Sequence, residues 1–204
     1  YDYERIDGQN CLVRNIGEEK KVLPVELYTG IDPASSLNPR ADFFVILTIA
    51  KDHDDNVYIV DLYRAHLNPS EQPDKIIEIY KRFRPKRMKV ETVAYQEALR
   101  QAVRKKMLEE NLFIPGLEKG YKPRSRKSER LISMVPVFAK GKFFFRPQDD
   151  IAQAEFLSYP RGKHDDIMDA CWMALDQAKP CRVKNINNQE KKNIKKTFLD
   201  WMTL

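Results

Sequence analysis

The longest apolar run in the chain, Phe43 to Ala50 (FFVILTIA), constrains the fold most. A membrane helix needs about 20 apolar residues, so this run is far too short to span a bilayer. Its β-branched content instead fits a buried strand. It ends in KDHDDN, a turn-rich cluster. VELYTGIDPA before it and VYIVDLYRAH after it read as two further strands. Three strands joined by short turns predict an antiparallel meander.

Beyond residue 70 the period changes. EQPDKIIEIYKRF places Ile76, Ile77, Ile79, Tyr80 and Phe83 on one helical stripe, and Pro85 breaks it. RMKVETVAY reads as a short strand, YQEALRQAVRKKMLEEN as a strong helix, and LFIPGLE as strand-like. ERLISMVPVFAKG reads as a helix broken at Pro136, KGKFFFRP as a hairpin, and DDIAQAEFLSYP and HDDIMDACWMALDQAK as helices. This mixture predicts an α/β fold: a central mixed sheet, its first three strands antiparallel, with helices packed on it. The expected organisation is a polar lead-in over 1–24, one domain over 25–180 and a basic tail over 181–204.

Composition narrows the class. With 204 residues, 42% hydrophobic and 32% charged, the chain can bury one sizeable core on a soluble surface. The start, YDYERIDGQN, carries no secretory pattern and suggests a piece cut from a longer protein. Cys11, Cys171 and Cys181 are odd in number and unclustered, which argues against disulfides or a zinc site and for a reducing compartment. The net charge of +6 permits a polyanionic partner without requiring one.

Acids stand at three places where a purely structural role is awkward. Asp32 ends an apolar strand, between Gly30 and Pro33, although an ordinary turn acid also suits that position. Glu91 follows Val90 at the end of the fourth strand, where it also suits a surface partner for Lys89. Asp165, Asp166 and Asp169 crowd one helix start; a helix cap explains one of them, not three. Acids from two strand ends and one helix start suit a hard divalent cation such as Mg²⁺. Two such ions about 3.5–4 Å apart would activate water and stabilise a leaving 3′ oxygen, with Asp32 the candidate bridging ligand.

The order GIDPA, VYIVDLYR, VET and HDDIMDA resembles the nuclease domain of the large terminase subunit of tailed bacteriophages. The resemblance runs from about residue 28 to 178. It implies an RNase H-like fold close to junction resolvases, and an Mg²⁺- or Mn²⁺-dependent endonuclease with two ions per site. It maps Asp32 to the first-strand acid, Glu91 to the fourth-strand acid and Asp165/Asp166/Asp169 to the last-helix acid, leaving open which of those three binds metal. By the same resemblance His164 is an accessory group and KGKFFFRP an extra β-hairpin near the active site. Implied partners are double-stranded DNA and, in the full protein, an ATPase motor, the small terminase subunit and the capsid portal, in the host-cell cytoplasm. No G-x-x-x-x-G-K-[ST] stretch occurs, so no ATP cradle is expected. The isolated domain is expected to be a monomer.

Basic residues are uneven along the chain. Lys119, Lys122, Arg124, Arg126, Lys127 and Arg130 face a single acid, Glu129, over 119–130. This segment is the expected phosphate-contacting loop, with Lys122, Arg124, Arg126, Lys127 and Arg130 as its contacts. Clusters over 81–89 and 100–106 also suit solvated faces with acids nearby. The tail is basic too and carries FLDWM over 198–202, a patch suited to docking on the domain or on the portal. Two other functions fit the same residues: another RNase H-like nuclease, such as a junction resolvase or transposase core, and a DNA-binding module without catalysis.

Overall fold

The computed structural model describes residues 1–17, 19–33, 43–90, 94–117 and 125–182, with side chains in the fourth stretch described from 97 onward. Three strands come first: β1 (Asp2–Ile6), β2 (Gln9–Ile16) and β3 (Glu19–Pro24). They form an antiparallel sheet in the order β1-β2-β3. The stretch expected as a polar lead-in, 1–24, thus carries a sheet of its own. The β1–β2 turn is Asp7-Gly8, both at positive φ, with Ile6 opposite Gln9. Asp-Gly is the residue pair that a two-residue hairpin turn of this twist favours.

The main sheet has five strands: β4 (Glu26–Asp32), β5 (Phe44–Lys51), β6 (Val57–Ala65), β7 (Arg87–Val90) and β8 (Phe143–Phe144), in the order β7-β4-β5-β6-β8. As expected, β4, β5 and β6 are antiparallel neighbours, and β7 joins parallel to β4. Central β5 has helices or strands on both faces, which explains its nearly continuous apolar run. Phe44, Ile46 and Ala50 face α1 (Gln72–Phe83) and α2 (Ala94–Glu109), together with Leu12 and Leu23 of the first sheet. Val45, Leu47 and Ile49 face the other layer. That layer holds α3 (Lys127–Ile132), α4 (Val135–Ala139), α5 (Asp150–Ser158) and α6 (Asp166–Gln177).

Three local expectations change. The GKFFFRP segment forms no hairpin. It supplies β8, a two-residue strand running parallel to β6. β8 pairs with Val57 and Tyr58, which lie across from Lys51 and Ala50, at the end of the sheet away from Asp32. The LFIPGL part of the segment expected as strand-like, residues 112–117, is irregular, although the Pro115 carbonyl accepts a 2.8 Å hydrogen bond from the Met88 amide. The helix expected to break at Pro136 breaks earlier, at Ser133 and Met134, and Pro136 sits in the first turn of α4, where its missing N–H costs nothing.

Candidate active site at the end of the sheet

The crossing of α6 over β4 positions the candidate acids. Gly30 lies under α6 so closely that a Cβ there would overlap the Ala170 carbonyl and come within 2.8 Å of the Ala174 nitrogen. Only glycine, facing two alanines, permits this approach. Two further bonds set the direction. Tyr28 Oη donates to the Lys179 carbonyl at 3.2 Å, and Gln177 Nε2 donates to the Thr29 carbonyl at 2.8 Å. As β4 advances from Tyr28 to Asp32, its helix neighbours therefore step back from residue 179 towards 166. Residues 166, 170 and 174 share one stripe of the helix, so Asp166 projects over the Asp32 end of β4. Asp166 Oδ2 accepts the Phe43 amide at 3.2 Å. Phe43 lies two residues before Val45, the register partner of Asp32.

The neighbouring stripe carries Asp169, Trp172 and Asp176. Lys89 of β7 pairs with Asp176 and sits 5.0 Å over the Trp172 ring. Asp169, two turns earlier on this stripe, therefore faces the carboxyl end of β7. That strand ends at Val90, opposite Ile31; Glu91, the next residue, lies outside the described residues. The acids of α6 thus converge on the carboxyl ends of two parallel strands, a common location for ligand sites in α/β sheets.

These acids are not helix caps. Asp165 occupies the N-cap position of α6 without making a side-chain cap bond. The cap comes from Glu155 of α5, whose Oε1 accepts the Met168 amide at 3.0 Å. Burial pushes the Glu155 carboxyl above its usual range, against the pull of the α6 amides. Asp166 and Asp169 are 3% and 4% exposed, an expensive place for carboxylates whose capping work is done elsewhere.

Positive charge already sits among them. Lys127 Nζ lies 2.8 Å from Asp165 Oδ1 and 2.5 Å from Asp169 Oδ2. Arg130 Nη2 is 3.9 Å from Asp169 Oδ1, and that oxygen has no hydrogen-bond partner among the described residues. Burial pushes the Asp169 carboxyl up, and Lys127 and Arg130 only partly offset this. Burial alone would lower the Lys127 ammonium; its bonds to Asp165 and Asp169 outweigh that and raise it. The buried carboxylate bears the desolvation cost, while the more exposed ammonium gains two partners. His164 Nδ1 stands 3.8 Å from Asp166 Oδ2.

Asp32, Asp165, Asp166, Asp169 and His164 therefore gather at one end of the molecule. Among the described residues, no three His, Cys, Asp or Glu side chains stand close enough to hold a metal ion. Of the expected phosphate-contacting loop, Lys122 and Arg124 lie outside the described residues, and Arg126 is exposed. Lys127 and Arg130 instead turn towards the α6 acids. In the two other basic clusters, Lys81, Lys86, Lys89, Arg100, Lys105 and Lys106 each pair with an acid. Glu155 escaped the sequence reading because its partner lies on another helix.

A family model for the terminase RNaseH-like domain matches residues 29–178. The chain belongs to this family. The match takes in most of β4 and everything from there through α6, the elements that carry the acids. No curated relative matches it. Among solved structures, it is similar to the large terminase nuclease from thermophilic phage G20c. The identity is 18%, over 87% of this chain and 92% of that one, with a TM-score of 0.59. The zinc-bound and magnesium-bound forms of the same protein match at 17% identity over the same shares, with TM-scores of 0.58 and 0.56. At these identities the likeness establishes that the terminase domain shares the fold.

Proposed function

We propose that this terminase domain is a divalent-metal-dependent endonuclease that cuts double-stranded viral DNA during genome packaging. The observation that carries this is the phase of α6, which aims Asp166 at the end of β4 and Asp169 at the end of β7. The family match, and the magnesium carried by a structure of the same fold, support the reading. The residues also fit a hard cation on their own chemistry: every donor is a carboxylate oxygen, one buried oxygen of Asp169 lacks a hydrogen-bond donor, and an ammonium already stands between two of the acids.

Asp32, Glu91, Asp166 and Asp169 would hold two Mg²⁺ or Mn²⁺ ions, with Asp165 at the rim. Such ions supply a water of lowered pKa and neutralise charge on the leaving 3′ oxygen. The chain's own residues do the rest. Buried Asp166 and Asp169 are kept in place by Glu155, which anchors the helix start. Lys127 offsets the repulsion between Asp165 and Asp169. Exposed Arg126 faces the solvent where a phosphate backbone would approach. In packaging, the domain acts beside an ATPase motor, the small terminase subunit and the portal, in the host cytoplasm.

The test is supercoiled plasmid incubated with the protein in Mg²⁺, in Mn²⁺ and in EDTA, with Asp32→Asn alongside. The expected result is nicking and linearisation that need metal and vanish in the folded variant. Undiminished cutting by Asp32→Asn, or cutting in EDTA, overturns the reading.

A further inference from the structure

Beside the acids lies a group that the mechanism above does not use. Arg64 is near the end of β6, and its register partner is Val45, which is also the partner of Asp32. Directly opposed residues project from the same face of a sheet. Asp32, Val45 and Arg64 therefore form one cross-strand row facing the α6 layer, with Arg64 about 10 Å from Asp32, two strand spacings away.

The Arg64 side chain is oriented, and its Nε is unsatisfied. Its guanidinium lies 3.5 Å from the centroid of the Phe43 ring. His66 stacks on the same ring at 4.0 Å, and His164 meets it edge-on at 5.2 Å. Among the described residues, Arg64 Nε is buried with no hydrogen-bond partner and the side chain makes no ion pair, its charge reaching the Glu155 carboxyl only at longer range. Glu155, the acid whose carboxyl feels the Arg64 charge, has its Oε1 engaged by the Met168 amide, and Asp166 Oδ2 accepts the Phe43 amide. A cation–π contact uses the flat face of a guanidinium and leaves its five N–H donors available. A buried donor without an acceptor is costly, so this arrangement suits a site completed by an outside acceptor.

We infer that Arg64, set on Phe43, is a phosphate-binding subsite that holds the DNA backbone on the β6 side of Asp32. The ligand is a backbone phosphodiester, recognised by the guanidinium fork rather than by base edges. The inference rests on the proposed DNA-cutting role, and gives that site a second anchor beyond its acids. His66 helps fix the Phe43 ring that orients the arginine.

The test measures binding of a short labelled duplex in EDTA, across a salt series, for wild type, Arg64→Gln and Arg64→Lys, with melting curves as the folding control. Arg64→Gln should bind roughly tenfold more weakly. Its plot of log affinity against log salt should be shallower by about one unit. Arg64→Lys should keep the wild-type slope while losing affinity, because it retains the charge but not the fork. Wild-type affinity and slope in Arg64→Gln, equal slope loss in both variants, or no duplex binding by wild type would each overturn the subsite. Cleavage by wild type in Mg²⁺, run in parallel, separates the two readings. An Arg64-dependent slope without cleavage sinks the nuclease proposal and leaves the subsite standing; cleavage with an unchanged Arg64→Gln slope does the reverse.

Discussion

Gly30 and Ala170 meet backbone to backbone, and no side chain fits between them. This contact fixes the height of α6 above β4, and so the depth at which Asp166 enters the candidate site. Gly30→Ala must push the helix off the sheet or bend the strand. The expected loss is about 3 kcal/mol, or a melting point lower by about 6–12 °C for a chain of this size. Cleavage should fall further than stability accounts for, because the acids move with the helix. Calorimetry beside a plasmid assay checks both, and a wild-type melting point would show that the approach is looser than described.

Asp32 and Asp166 face the same space from strand and helix. Asp32→Asn and Asp166→Asn should each lower the cleavage rate by at least about a hundredfold while the fold survives. The double variant should be little worse than either single one, since residues acting as a unit do not add. Single-turnover rates on a defined duplex measure this. Multiplicative losses would assign the two acids to separate tasks.

Glu155 gives a pH signature. Burial lifts its carboxyl above the usual 4.5, so the folded state holds that proton more tightly than the unfolded chain does. Its contribution is therefore favourable below about 4.5 and is lost as pH rises through the raised value. Glu155→Gln keeps an acceptor for the Met168 amide and removes the titration. This variant should gain on wild type as pH rises from 4.5 towards neutrality. Glu155→Ala loses the cap and should be less stable by about 1–2 kcal/mol throughout. Denaturant melts over that pH range provide the measurement; a constant gap between Gln and wild type would remove the titration from the account.

Lys127 stands where a metal would compete. Lys127→Met should melt earlier in EDTA, because Asp165 and Asp169 then repel with only Arg130, 3.9 Å from Asp169, to offset them. Added Mn²⁺ should raise the melting point of this variant more than that of wild type, since a ligand that binds only the folded state stabilises it in proportion to its affinity. Equal metal-induced shifts would place the ammonium and the metal at different positions.

The main sheet was legible because its physics is local. A strand covered on both faces reads as a nearly continuous apolar run, and β5 is buried from Phe44 to Ala50 with Thr48 its one polar residue. The α6 acids were legible because three carboxylates exceed what one helix start needs. The first sheet was not, since β1 and much of β3 are half-buried or exposed and read as polar. Even so, Asp7-Gly8 carried a hairpin signal. Two-residue β8 is too short to have a period, and its place at the sheet edge depends on the aromatic packing of Tyr58 on Phe144. The partners of Glu155, Lys127 and Arg64 are set by tertiary packing, which no spacing along the chain encodes. The position of Glu91 beside the site remains part of the proposal.

The stripe geometry of α6 makes the domain sensitive to helix phase. Each residue added to a helix turns everything beyond it by about 100° and advances it by about 1.5 Å. A single residue inserted between Asp169 and Ala170 would leave the two alanines seated on Gly30 and the far end tied to Tyr28 and Thr29. It would swing Asp166 and Asp169 away from both strand ends and turn Ile167 and Met168 out of the core with them. Natural length variation in this chain should therefore fall in the turn before His164, and α6 itself should keep a constant count from Asp166 to Gln177.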